Sequence, residues 1–451
     1  MTHISAIKSQ RFSPLQSSKW DYFKNLANMV CSREPFYRAA LDLSAFDIPV
    51  MLADLFRGYK KFLETAFETL TGTMMIFVAP VFTAIVGKIM GFFILPKDMR
   101  KDALHYLRFT MEELRDKEKF QRAVKGDDPR IIREECEDKE IVSSLYEKLG
   151  NSDKAIRYKN ESREIRDFYK QLDPTEEKMK LAYKLKKWTT IAESLLEGIW
   201  WGGTGLIMRA FRKYILRENR FTGTMNYASN AESKKLGEAG SLNLFQTIVG
   251  LLAIPTGAIV NWFLLTKAED EKAVEKSSFL KIVRSQFDMT HGLYPKLGLL
   301  FSMSIVPKYV GVLTTAQGWY ERIERLLRLV TVVPSWWCGH WLTNGVFALN
   351  ADKYLSKKYS VEPGILVEPE YFKSNENDSL FEKLTRKLPE PAKIHHVMKS
   401  TKGKEALQNE AEDLHARSFY KGFVVHSIFV WLINMGVNYI TKLRVKSALG
   451  H

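Results

Sequence analysis

Residues 241–266, SLNLFQTIVGLLAIPTGAIVNWFLLT, contain no charged side chain. A bilayer core about 30 Å thick is crossed by roughly 20 helical residues rising about 1.5 Å each. A helix of that length packed in a water-soluble core would show a polar stripe, so this run points to a membrane span. Residues 329–351 and 422–441 are nearly as clean, each with a single histidine and no acid, lysine or arginine. Residues 71–95 and 297–320 are long enough but interrupted by Lys88 and Lys308. Residues 194–208 are short and have Glu193 and Glu197 at their start, a pattern that suits a re-entrant or interfacial segment as well as a crossing.

The expected fold is therefore all-α: a polytopic transmembrane helical bundle of about five to six spans with a soluble helical insert. Mean hydropathy is near −0.21 because the charges crowd between the apolar blocks. The division expected along the chain is an amphipathic helical region over 1–70, a span over 71–95 and the charged insert over 97–190. A membrane region over 191–350 follows, then a polar extramembrane region over 352–419, a last span over 420–441 and a basic tail over 442–451. Residues 1–20 have no apolar core of the kind a secretory signal requires. Leu145 to Ile165 resembles one hairpin of a tetratricopeptide repeat, but no second copy follows at the expected period. A lone unit cannot bury its own face, so an unrelated helical hairpin is the simpler reading.

The formal net charge is +15, and much of the excess flanks the apolar blocks, as at Lys60 and Lys61, Lys97 to Lys101, Arg209 to Arg217 and Lys442 to Lys446. That placement favours a bilayer with anionic lipid head groups as partner. Nucleic acid is not expected, since the basic clusters form no single patch interleaved with stacking aromatics. Which membrane is involved is not written in the sequence. A working topology puts the insert, the 209–240 loop, the Glu321 to Arg328 link and the C-terminus on the cytoplasmic side, with 194–208 not crossing. The small-xxx-small pairs Gly198/Gly202 and Gly87/Gly91 suit close helix contact, within the chain or in a homo-oligomer. The insert over 97–190 offers a surface for a soluble protein partner.

Cys31, Cys136 and Cys338 are too scattered for a disulfide framework or a zinc site. Glu412 to His415 is a lone ExxH in what reads as a solvated helix, and GxSxG, HExxH and P-loop strings are missing. No metal or cofactor is expected, no catalytic residue is assigned, and a non-enzymatic role is favoured. Prolines fall near the middle of four apolar blocks, at Pro80, Pro255, Pro307 and Pro334. Such breaks free backbone carbonyls that can bind solutes at the bilayer midplane. Lys308 stands beside Pro307, and an ionisable group at that depth marks a functional site by default. His340 lies in a span with Asn344 nearby, and Asn261 follows Pro255. Lys308, His340, Asn344 and Asn261 are accordingly the expected ligand-binding residues of a protein that binds or transports a small solute or lipid. His426, Asn434 and Asn438 read as polar contacts between helices. Two other readings compete: a scaffold that oligomerises or recruits partners, and a membrane-embedded lipid-modifying enzyme using Glu193, Glu197 and Arg209.

Overall fold

The computed structural model describes residues 19–125, 129–172, 175–289, 293–372 and 389–450. Among these the regular structure is helical, with isolated bridges pairing Arg220 with Ala239, Met289 with Pro295 and Val367 with Pro391. Three helices are long and apolar enough to cross a membrane: Tyr59–Ile94, Leu244–Lys267 and Glu405–Leu449. The expected count of five to six is therefore not reached by length and composition. The apolar block at 297–320 becomes the shorter helix Gly298–Thr314. The block at 329–351 is divided between the end of one helix, a wide turn over Trp341–Gly345 and the start of the next. Run length in sequence ignores such breaks.

The elements that matter here are α1 (Lys19–Ser32), α2 (Ile48–Leu55), α3 (Tyr59–Ile94), α4 (Asp138–Lys148), α5 (Ser152–Gln171), α6 (Glu176–Trp201), α7 (Thr204–Ala210), α8 (Leu244–Leu252), α9 (Thr256–Lys267), α10 (Val306–Thr314), α11 (Trp319–His340), α12 (Val346–Tyr359) and α13 (Glu405–Leu449). Helix α3 continues through Pro80, whereas Pro255 caps α9 after a break from α8. A capping box of Asn243 and Gln246 starts α8, and two orphan backbone donors are thereby satisfied.

Segment 194–208 is divided between two helices. Its first part is the end of the 26-residue helix α6, which packs antiparallel along α3. Trp201 lies by Gly72, Glu193 bonds Thr83, and Leu185 lies by Gly91. On its other side α6 runs antiparallel to α9, through Gly198 with Ile254, Ser194 with Asn261 and Lys187 with Glu269. The insert after α3 and the basic loop after α7 thus emerge at opposite ends of this helix pair. Helix α6 also runs through position 190, where a boundary between insert and bundle was expected.

The second large unit is a hairpin in which the run α11–α12 lies antiparallel to α13. Its register is fixed by Tyr320 with Arg444, Glu324 with Thr441, Arg328 with Asn438, Asn344 with Gly422, and Lys358 with Glu410. At about 1.5 Å per residue, α13 is some 65 Å long, twice what a bilayer core needs. Only its middle is apolar enough to span.

Outward-facing apolar side chains line these helices, among them Phe77 and Phe93 on α3, Ile199 on α6, Phe263 on α9 and Phe429 on α13. The insert has its own core around Leu107, Phe109, Phe120, Ile131 and Tyr169. Helices α4 and α5 form the expected hairpin, turning at Gly150 with a φ of 75°. The ExxH pair is not solvated: Glu412 and His415 are buried, and His415 contacts Asn28 Oδ1 at 2.9 Å and the Ala392 carbonyl at 3.1 Å.

The glycine pairs are occupied within the chain. A Cβ on Gly198 or Gly202 would strike the backbone of Ile254 or Ala253, and one on Gly87 or Gly91 would strike Leu107 or Ala103. Backbone cannot swing aside as a side chain can, so Gly198→Ala is expected to destabilise the folded protein by roughly 1–3 kcal/mol. Gly436→Ala, which meets nothing within 4 Å, is expected to be neutral or mildly stabilising. Thermal unfolding of the detergent-solubilised variants measures the difference, and equal midpoints would contradict the packing described.

Candidate functional site

At the end of the bundle away from the insert, charged side chains are packed together in the interior. Gly58, with φ of 104°, turns the chain sharply between α2 and α3, a conformation that suits glycine. The turn puts Asp54 and Arg57 beside the first turns of α3. There Lys61, Glu64 and Glu68 fall at spacings of three and four, so they share one helix face. Helix α11 does the same with Glu321, Glu324, Arg325 and Arg328. Arg212 enters just past α7, Lys308 from α10, and Asn438 and Thr441 from α13.

The layer holds five carboxylates, Asp54, Glu64, Glu68, Glu321 and Glu324. It holds six cations, Arg57, Lys61, Arg212, Lys308, Arg325 and Arg328. Arg57 grips Glu324 with both terminal nitrogens at 2.7 Å and reaches Asn438 at 2.8 Å. Arg328 meets Asp54 at 2.6 Å. Arg212 joins Glu64 at 2.7 Å to Glu321, and also donates to Gln317 at 2.7 Å. Arg325 holds Glu68 at 2.6 Å, and Lys308 approaches the same carboxylate at 3.3 Å. Such fork-to-carboxylate contacts are directional as well as strong. Buried charges of this number are tolerable only because each has an opposite partner.

Lys308 is thus placed in a polar interior and lines a cavity of about 30 Å³ with Phe46, Glu68, Thr69, Tyr309 and Arg325. That is room for one or two water molecules. The Lys308 ammonium also lies 5.6 Å from the centre of the Trp201 ring. The Trp201 indole N–H donates to Glu197 at 3.3 Å. Asn261 stands in the same seam: its amide donates to Ser194 Oγ at 2.7 Å, and its oxygen accepts from Ser302 Oγ at 2.5 Å. Ser304, on the wide turn over Phe301–Ile305 that precedes Pro307, donates to Glu197 at 3.3 Å. Lys308 and Asn261 therefore belong to one polar seam along α6.

Asn344 does not join them. It is buried where α11–α12 crosses Gly422, beside a separate cavity of about 70 Å³ that also touches Cys31, Tyr37 and His415. The backbone of His340 ends α11, and its side chain lies outside the described residues. Arg209 bonds the Gly240 carbonyl at 3.0 Å and lines a third cavity of about 190 Å³ in the basic loop. Glu193 and Glu197 are instead enclosed between α3, α9 and α10, so the three groups of the lipid-modifying reading are not gathered at one face.

Sequence reading missed the arginines and acids of the layer. Its available signal was charge at core spacing in YKKFLETAFE and ERIERLLR, taken as flanking charge and a short link. Among the described residues no group of three or more metal-ligating side chains comes together. No protein-family model, no curated protein and no solved structure matches this chain. The described residues define an all-helical fold with three helices long and apolar enough to cross a membrane and a buried ion-pair layer.

Removing one partner of a buried pair strands the other, at a cost of about 3–5 kcal/mol. Arg212→Met is expected to lose that much, while Lys60→Met, at a half-exposed contact of 3.4 Å, is expected to lose less than about 0.5 kcal/mol. Similar losses in denaturant titrations would remove the distinction. Glu238, in the loop capping this end, accepts from the Tyr320 N–H at 2.9 Å. Burial raises its carboxyl to about 7, with Glu321 adding to the rise against the Tyr320 bond. Because the folded state holds this proton more tightly than the unfolded chain, its contribution is full below about 4.5. It is lost as pH climbs through 7. Glu238→Gln is expected to flatten the midpoint between pH 5 and 8, and an unchanged slope would contradict the assignment.

Proposed function

We propose that this chain is a multi-pass membrane protein that binds a small charged solute in the polar seam along α6 and passes it between the two faces of the bilayer. In this reading the six segments α3, α6, α8–α9, Gly298–Thr314, α11 and the middle of α13 cross together. The ion-pair layer closes the seam at one face. The observation that carries the reading is the continuity of polar groups from Glu68 and Lys308, across Trp201, to Glu197, Ser304 and Asn261 inside a shell of outward apolar side chains. Ionisable groups held at that depth are costly and are kept where they serve a function. Lys308, paired at 3.3 Å rather than clamped by a fork, is the member of the layer best placed to exchange its partner for a solute. Anionic head groups meet Lys213, Arg217, Lys442, Arg444 and Lys446 on the layer side.

A second reading is supported by the saturation of the layer, which joins α2, α3, α7, α10, α11 and α13 as a fixed clamp would. In it the chain is a scaffold, with the insert over 97–190 presented to a soluble partner.

Two measurements test the proposal. With the natural cysteines replaced by alanine, Ser152→Cys in the insert and Ser229→Cys in the basic loop are expected to react with an impermeant maleimide from opposite sides of sealed vesicles. Labelling from one side would overturn the crossing of α3 and α6. A panel of inorganic anions, amino acids, dicarboxylates and polyamines is then screened by thermal unfolding of the purified protein. A bound solute at 100 times its Kd stabilises by about 2.7 kcal/mol, a shift expected to vanish in Lys308→Met. If no solute moves the midpoint, the scaffold reading replaces the first.

A further inference from the structure

The carboxyls of Glu193 and Glu197 stand one helical turn apart on the inner face of α6, 0% and 1% exposed. Glu193 Oε1 is bonded by the Thr83 hydroxyl. Glu197 Oε2 accepts from both Trp201 and Ser304 at 3.3 Å. The other two oxygens, Glu193 Oε2 and Glu197 Oε1, have no hydrogen-bond partner. The Thr189 and Thr190 hydroxyls, fully buried and three or four residues before Glu193, have none either.

Among the described residues no cation lies within ion-pair distance of the pair. The charged groups on the elements packed against α6 are committed or turned away. On α10, Lys308 pairs with Glu68 of α3 at 3.3 Å. Lys88 of α3 is exposed. Towards the insert, Lys187 pairs with Glu269 at 2.9 Å and Lys186 with Asp288 at 2.6 Å. The elements that face the pair directly contribute Thr83, Asn261, Ser302 and Ser304, all neutral.

Two ionised carboxylates enclosed without a counter-ion would each cost several kcal/mol and would repel one another. The pair also has two orphan acceptors and no donor between them. One added proton neutralises one carboxyl, which ends the repulsion, and turns one of the two orphan acceptors into a donor. We propose that Glu193 and Glu197 form a proton-binding site that holds a single exchangeable proton. The proton resides on Glu193 Oε2, because Glu197 already receives two donors and Glu193 one. The inference needs only the enclosure of the pair and not the movement of a solute.

Dicyclohexylcarbodiimide tests it on the intact detergent-solubilised protein. The reagent takes the proton of a buried carboxylic acid and adds to its oxygen. Rearrangement then leaves an N-acylurea that retains the whole reagent, with no leaving group, so the peptide gains one reagent mass. The expected result is one adduct per chain on Glu193, forming more slowly as pH rises and equally in sodium and choline chloride. Glu193→Gln, isosteric and neutral, is expected to lose the adduct while keeping the unfolding midpoint. Absence of any adduct on Glu193 or Glu197 in the folded wild-type protein would overturn the proposal. Protection by sodium but not choline at fixed pH would also overturn it, identifying the pair as a site for a hard metal cation.

Discussion

Opposite charges packed out of water constrain this molecule more than any apolar contact does. An isolated charge in such a place costs several kcal/mol, and attraction between partners offsets that cost only when geometry is good and remaining donors are satisfied. The layer meets the condition by interleaving forks and carboxylates, so that Arg57, Arg212, Arg325 and Arg328 each touch an acid from another helix or from the α2 corner. Apolar surfaces slide and repack with modest loss, whereas these pairs accept one register. The positions of α2, α3, α7, α10, α11 and α13 relative to one another follow from that register.

Beyond the layer the interior changes character. Along α6 the polar groups become neutral or acidic, with hydroxyls and an asparagine in place of arginines. The helix contacts tighten to backbone against backbone at Gly198, Gly202, Gly205 and Gly311. Trp201 stands at the transition, its ring beneath Lys308 and its N–H on Glu197. Fixed charge returns only further along α6, where Lys186 pairs with Asp288 and Lys187 with Glu269. Two electrostatic environments thus coexist within one helix bundle.

Much of the fold was legible in the sequence, and for a definite reason. Charge-free runs such as 241–266 can be read one residue at a time, because the bilayer imposes a length and excludes charge. Proline and glycine breaks at Pro255 and Gly150 are equally local. The ion-pair layer was not legible, because its partners are remote: Arg57 and Asn438 are brought together by folding alone. Charges at 321, 324, 325 and 328 look alike whether a helix face is solvated or paired. Glu193 and Glu197 weighed against a crossing because composition does not say which way a side chain points. Of the four expected site residues, Lys308 and Asn261 share a seam since both follow prolines on neighbouring helices. Asn344 belongs to the other hairpin, whose pairing with α13 no local pattern announces.

The order in which the layer's members occur along the chain has a consequence for synthesis. Asp54, Arg57, Glu64 and Glu68 leave the ribosome first, Arg212 much later, the α11 charges later again, and Asn438 and Thr441 almost last. Local pairs such as Lys61 with Glu64 can form at once, whereas Arg57 with Glu324, Glu64 with Arg212 and Asp54 with Arg328 must await the later partner. A chain ending before α13 would keep every arginine–carboxylate pair of the layer but lose Asn438, which accepts from Arg57 and Arg328, and Thr441, which donates to Glu324.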